Sequence, residues 1–73
     1  MIRIFEDVFT LDENGEGVDV GTVAINSDRI VYMAQDAFED NSFTTSMHME
    51  NGTVLCVAKP ISDVCKILCG AKI

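Results

Sequence analysis

One histidine and three cysteines are the residues best suited to chemistry in this 73-residue chain: His48, Cys56, Cys65 and Cys69. Zinc takes Cys and His ligands in a tetrahedron. Cys65 and Cys69, four apart, share one face of any helix that carries them. No Cys-x-x-Cys pair is present, however. A two-residue turn at Asn51-Gly52 also puts His48 and Cys56 on opposite faces of a hairpin. Buried thiols otherwise pack as small hydrophobes. The expectation is core cysteines, with no metal and no cofactor.

A nucleophilic thiol needs a base close by and a lowered pKa. His48 is the only histidine, and no residue in the sequence visibly orients it. Glu6-Asp7, Asp12-Glu13 and Glu39-Asp40 pair carboxylates of the kind that acid–base catalysis uses. Adjacent carboxylates at turns are solvated charge, and so short a chain has little room for a closed pocket. Gly15-Glu16-Gly17 lacks the strand–glycine–helix setting of a phosphate loop. These residues point away from an enzyme.

The elements that would position these side chains are organised by two Asn-Gly pairs. Asn-Gly favours the type I′ turn of a tight hairpin. Residues 2–12 run up to Asn14-Gly15, and Gly17 to Asn26 run back. Pairing Glu13 with Glu16 sets Leu11 against Val18 and Phe9 against Val20 on one face. Val23 and Ile25 then fall out of step, which makes Gly21 a natural bulge. Ile2 and Ile4 are out of step as well, which places a kink near Glu6-Asp7. The second hairpin pairs residues 45–50 with 53–58. It sets Met49 against Val54 and Met47 against Cys56 as the core face, leaving Leu55 and Val57 on the other.

Arg29 to Ala34 is apolar on both faces and reads as a central strand. Residues 35–42 form a polar, acidic loop around Phe38. At the end the period changes: Ile61, Val64, Cys65, Leu68 and Cys69 fall at helical spacing, with Pro60 at the start and Gly70 as a cap. The expected fold is one α+β domain over residues 1–73, mainly β. It has about five antiparallel strands in a curled or barrel-like sheet, with a short C-terminal helix.

Size and charge narrow the functions. A chain of this length buries about 60 % of its surface on folding, so its core is marginal. Hydrophobic residues make up 48 %, too many for a disordered tail. The longest apolar run, Ile30 to Ala34, is far too short to span a membrane. Arg3, Glu6 and Asp7 sit where a secretory leader needs an apolar stretch, and an odd cysteine count suits reduced thiols in a cytoplasm. Net charge is −7, and residues 1–50 hold eleven acidic side chains against Arg3 and Arg29. That balance repels a phosphate backbone and suits a basic protein surface.

Residues 25–68 carry a wider pattern: Ile25-Asn26-Ser27-Asp28-Arg29-Ile30-Val31-Tyr32, then Met47-His48-Met49-Glu50-Asn51-Gly52-Thr53-Val54, then Val57, Ile61, Val64 and Leu68. This resembles the short swarming-motility proteins of the FlbD type and related small phage and prophage proteins. The LytTR DNA-binding domain has a distantly similar layout, but its basic groove-reading residues have no counterpart here. The resemblance implies a sheet plus helix acting as a protein-binding adaptor.

The expected function is a small cytoplasmic interaction module, phage-encoded on this reading. It would bind a host protein with a basic surface, such as RNA polymerase or a nucleic-acid-handling defence complex, and act by occlusion. The expected contact residues are Leu55, Val57 and Phe38 as apolar anchors, with Glu39, Asp40 and Glu50 as charged neighbours. Two alternatives stand beside it: a homo-oligomeric assembly subunit using its edge strands, and a DNA mimic whose carboxylates stand in for phosphates.

Overall fold

The computed structural model describes residues 1–37 and 42–70. Strand β1 (Ile2–Leu11) turns into β2 (Gly17–Asn26), and one 3-10 turn at Ser27–Arg29 leads to β3 (Ile30–Ala37). Strands β4 (Phe43–Met49) and β5 (Val54–Val57) follow, then helix α1 (Ile61–Leu68). The five strands form one antiparallel sheet in the order β2-β1-β5-β4-β3. The expected class, mainly β with a short C-terminal helix, is what forms. The curled or barrel-like shape is corrected: the sheet is not closed or strongly curled, and its edges β2 and β3 share no ladder. A second correction concerns β3. It is an edge strand rather than a central one, with Val31 and Tyr32 exposed.

Both Asn-Gly pairs form turns, but not the expected type. A type I′ turn needs positive φ at both central residues. Only the glycines are positive, at 81° for Gly15 and 88° for Gly52; Asn14 and Asn51 are not. Each loop has three residues. In the first, Gly15 N–H donates to Asp12 O (3.0 Å) and Asp12 N–H to Glu16 O (2.9 Å). In the second, Gly52 N–H donates to Met49 O (3.0 Å) and Met49 N–H to Thr53 O (2.9 Å). This is a type I turn closed by a glycine bulge. The side chain of Asp12 helps select it, accepting from the N–H groups of Asn14 and Glu16, both at 2.9 Å.

One extra loop residue moves both registers by one. Leu11 pairs with Gly17 and Phe9 with Asp19. In the second hairpin His48 pairs with Val54, Met47 with Leu55, Ser46 with Cys56 and Thr45 with Val57. Because side chains alternate, a slip of one exchanges the two faces of a strand relative to its partner.

The expected irregularities in the first hairpin are present. Glu6 and Asp7 together oppose Thr22, with Asp7 at φ 56°, and Gly21 has φ 92° beside the second register shift. The first bulge lets Phe5 and Val8, three apart, both reach the core. Phe5, Val8, Ile25, Met47, Val57 and Val64 form that core, and each is no more than 3 % exposed. Removing an apolar side chain from water stabilises the fold by about 1.5–3 kcal/mol.

Helix α1 lies on this inner face through Val64, with Ile67 and Leu68 packed beside it. Pro60 stands just before the helix with φ −65°, and Gly70 ends it at φ 70° with its N–H bonded to Ile67 O. Three contacts tie the helix down. Gln35 Oε1 accepts from Ile61 N–H at 2.7 Å, buried Thr45 donates its hydroxyl to Lys59 O at 2.7 Å, and Arg3 Nε donates to Leu68 O at 3.3 Å. An eight-residue helix would not persist without such packing.

Candidate interaction surface

Helix α1 packs on the inner face of the sheet, and no helix lies on the outer face among the described residues. The ladders define its rows. Tyr32, His48 and Val54 form one row across β3, β4 and β5. Leu11 lies beside Val54, the two lining a shallow groove with Thr10 and Thr53. The next row runs Ala34, Ser46, Cys56, Phe9 and Asp19. Asp36 stands one row further along β3, on the same face.

Leu11 is 58 % exposed, Tyr32 56 % and Val54 36 %. These are large apolar groups held in water by a rigid sheet. Acid surrounds them: Asp19 and Asp36 on the face, and Asp12, Glu13 and Glu16 in the turn after Leu11. The described basic side chains are placed elsewhere. Arg3 is bonded to the end of α1, Lys66 is in the last turn of α1, Lys59 is in the link before α1, and Arg29 pairs with Glu50 at 3.0 Å. The face is thus apolar in the middle and negative around it.

The contact residues expected from sequence fare differently. Val57 is 1 % exposed and belongs to the core, and Leu55 is half-buried against it. Their expected exposure is corrected, and the one-residue register shift is the reason. Glu50 is exposed in the β4–β5 turn as its charge suggests. Phe38, Glu39 and Asp40 lie outside the described residues. Val54, assigned to the core face by the two-residue turn, is an outward group instead, and Leu11 is another. For Leu11 the signal that could have revealed this was Asp12, a turn-starting residue favouring type I over type I′; the second turn starts at Met49 and offers no such signal.

The slip also corrects the placement of His48 and Cys56. They share the outer face rather than opposing faces. His48 stacks on Tyr32, with ring centroids 4.1 Å apart and planes within 10°. The Ser46 hydroxyl lies 3.2 Å from His48 Nε2 and 3.4 Å from Ala34 O. The hydroxyl thus bridges the His48 ring and the backbone of β3. Cys56 is 3 % exposed. Burial pushes its thiol pKa up, and the Asp36 carboxylate adds to the rise. A thiol held protonated is a poor nucleophile and a poor ligand. Cys65 and Cys69 are exposed free thiols on α1 and at its end. Among the described residues, no three His, Cys, Asp or Glu side chains converge as a metal site.

A second concavity opens between β2 and the β4–β5 turn, about 440 Å³ in volume. Val23, Ile25, Met49 and Leu55 line it, and the Arg29–Glu50 pair stands at its rim. It is an apolar hollow whose rim charges neutralise each other.

No protein-family model, curated protein or solved structure matches this chain.

Proposed function

We propose that the chain is a small acidic protein-interaction module. It binds a host or cognate protein through the outer face of the sheet and modulates it by occlusion. The partner presents a basic surface of the kind used to hold nucleic acid, as on RNA polymerase or a defence complex. Phage origin and a cytoplasmic setting belong to the same reading. One observation carries it: Leu11, Val54 and Tyr32 are exposed on a face that carries Asp19 and Asp36, while the described basic side chains lie elsewhere. Exposed apolar groups ringed by charge are the usual form of a contact site. Negative potential steers such a face towards cations and away from phosphate.

A pull-down on immobilised chain tests this, with Leu11→Lys and Tyr32→Ala variants run in parallel. The reading expects a partner that is retained at low salt, released as salt rises, and lost from both variants. A partner held equally by the variants, or no salt-sensitive partner at all, overturns it.

A further inference from the structure

We infer that β3 is a self-pairing edge: two copies of this chain join antiparallel along residues 31–37, about a two-fold axis at Ala34. The proposal is separate from the partner reading, since it concerns the chain alone. It rests on backbone accounting. Met49 N–H bonds Thr53 O on the β5 side, and Glu50 N–H bonds Arg29 O on the β3 side. Hydrogen-bonded and non-bonded pairs alternate along an antiparallel ladder. Tyr32, Ala34 and Asp36 therefore spend their backbone groups on β4, through His48, Ser46 and Thr44. Met33, Gln35 and Ala37 direct theirs to the open edge, where no described strand meets them. Such a row of donors and acceptors is a template for another strand.

The two edges of the sheet differ in how they are protected. Edge strands are usually blunted by lysine, proline or a bulge. Neither β2 nor β3 holds Lys or Pro. A bulge interrupts β2 in mid-strand, beside Gly21. The irregularity of β3 lies at its start, between Ile30 and Tyr32, and leaves Tyr32 to Ala37 regular. Val31 is 64 % exposed and Tyr32 56 %, and α1 meets this strand from the inner face, where the Gln35 side chain accepts from Ile61 N–H.

Side chains select the register. In a two-fold antiparallel pair each residue meets one on the same face, so an outward residue lies on the axis or opposite another outward residue. With Ala34 on the axis, a small side chain faces itself. Met33 meets Gln35 of the second copy, Tyr32 meets Asp36, and Val31 meets Ala37. The one charge of the segment then lies against an aromatic hydroxyl-bearing ring and not against its own copy. The two Asp36 side chains sit roughly 13 Å apart, four strand rises, which exceeds the screening length of about 8 Å at physiological salt. Moving the axis to Asp36 would press two carboxylates together.

Sedimentation equilibrium of the reduced chain tests the pairing. The expected result is a mass that rises from monomer to dimer with concentration over roughly the micromolar to millimolar range, as a small interface requires. Ala34→Glu sets two carboxylates on the axis and is expected to hold the chain monomeric with an unchanged β-sheet circular dichroism spectrum. A chain carrying Ala34→Cys, Cys65→Ser and Cys69→Ser is expected to cross-link on oxidation, because facing Cα atoms of a non-bonded pair lie about 4.5 Å apart, within disulfide reach. A monomer at every concentration with no cross-link overturns the inference. So does a dimer that survives Ala34→Glu. The cross-link keeps the question decidable should the glutamate variant fail to fold.

Discussion

Met47 lies opposite Leu55, one place away from the Cys56 that a two-residue turn would have set against it. That single offset carries Val57 into the core, packs Leu55 half-buried against it, and leaves Val54 on the outside. It also brings His48 and Cys56 onto one face. Several measurable properties depend on it.

Core truncation separates the two registers. Met47→Ala is expected to cost about 2–5 kcal/mol, the range for emptying a buried site. Val54→Ala is expected to cost less than about 1 kcal/mol, because Val54 is partly in water. Urea denaturation of both variants measures this. Equal large losses would restore the two-residue turn, in which Met47 and Val54 share the core face.

The turn glycines make a second prediction. A Cβ at Gly52 meets no atom within 4 Å, yet its φ of 88° is strained for any L-residue. Gly52→Ala is expected to destabilise by about 1–2 kcal/mol through the backbone alone. Gly17→Ala is the control: its φ is not positive, and a Cβ there makes an ordinary contact with Phe9 at 3.7 Å. Thermal melts are expected to show a clear drop for Gly52→Ala and little change for Gly17→Ala.

Asp7 holds φ 56° at the bulge that swings Phe5 and Val8 inward. Asp tolerates this region better than most residues, and Gly tolerates it freely. Asp7→Gly is expected to leave stability unchanged or raise it by up to about 1 kcal/mol, whereas Asp7→Val is expected to lower it by about 1–3 kcal/mol. Paired denaturation curves give the sign.

Cys56 predicts a pH dependence. Its folded pKa lies above the ordinary value of 9.0 because of burial first and Asp36 second. The folded state then holds the proton more tightly than the unfolded state. Its contribution is fully present below pH 9 and is lost as pH rises through the folded pKa. Denaturation midpoints are expected to fall above pH 9, and the fall is expected to shrink in Cys56→Ala. Alkylation of the folded chain at pH 8 is expected to label Cys65 and Cys69 well before Cys56, read by mass spectrometry.

Much of the architecture was legible in the residues. The Asn-Gly pairs marked both reversals, the phase break at Gly21 and Glu6-Asp7 marked the bulges, and the spacing from Ile61 to Leu68 marked the helix. These are local signals: steric freedom at glycine, alternation along a strand, period along a helix. The candidate surface was less legible. Tyr32 was visible as part of an apolar strand face, but Val54 stood on the wrong side of a register that depends on one loop residue, and the side taken by Leu11 was not assigned.

The sequence by itself determined the class of fold, the places where the chain reverses, and the acidic balance that any partner must meet. The tertiary structure alone decided which side of each strand faces α1, which strands form the edges, and whether the sheet closes. The reason is physical. The place of a turn and the period of a helix are set within a few residues, and strand order comes from contacts between segments far apart in the chain. Hairpin register lies between the two: it hangs on whether a loop holds two residues or three, and a change of one exchanges every side chain between core and water.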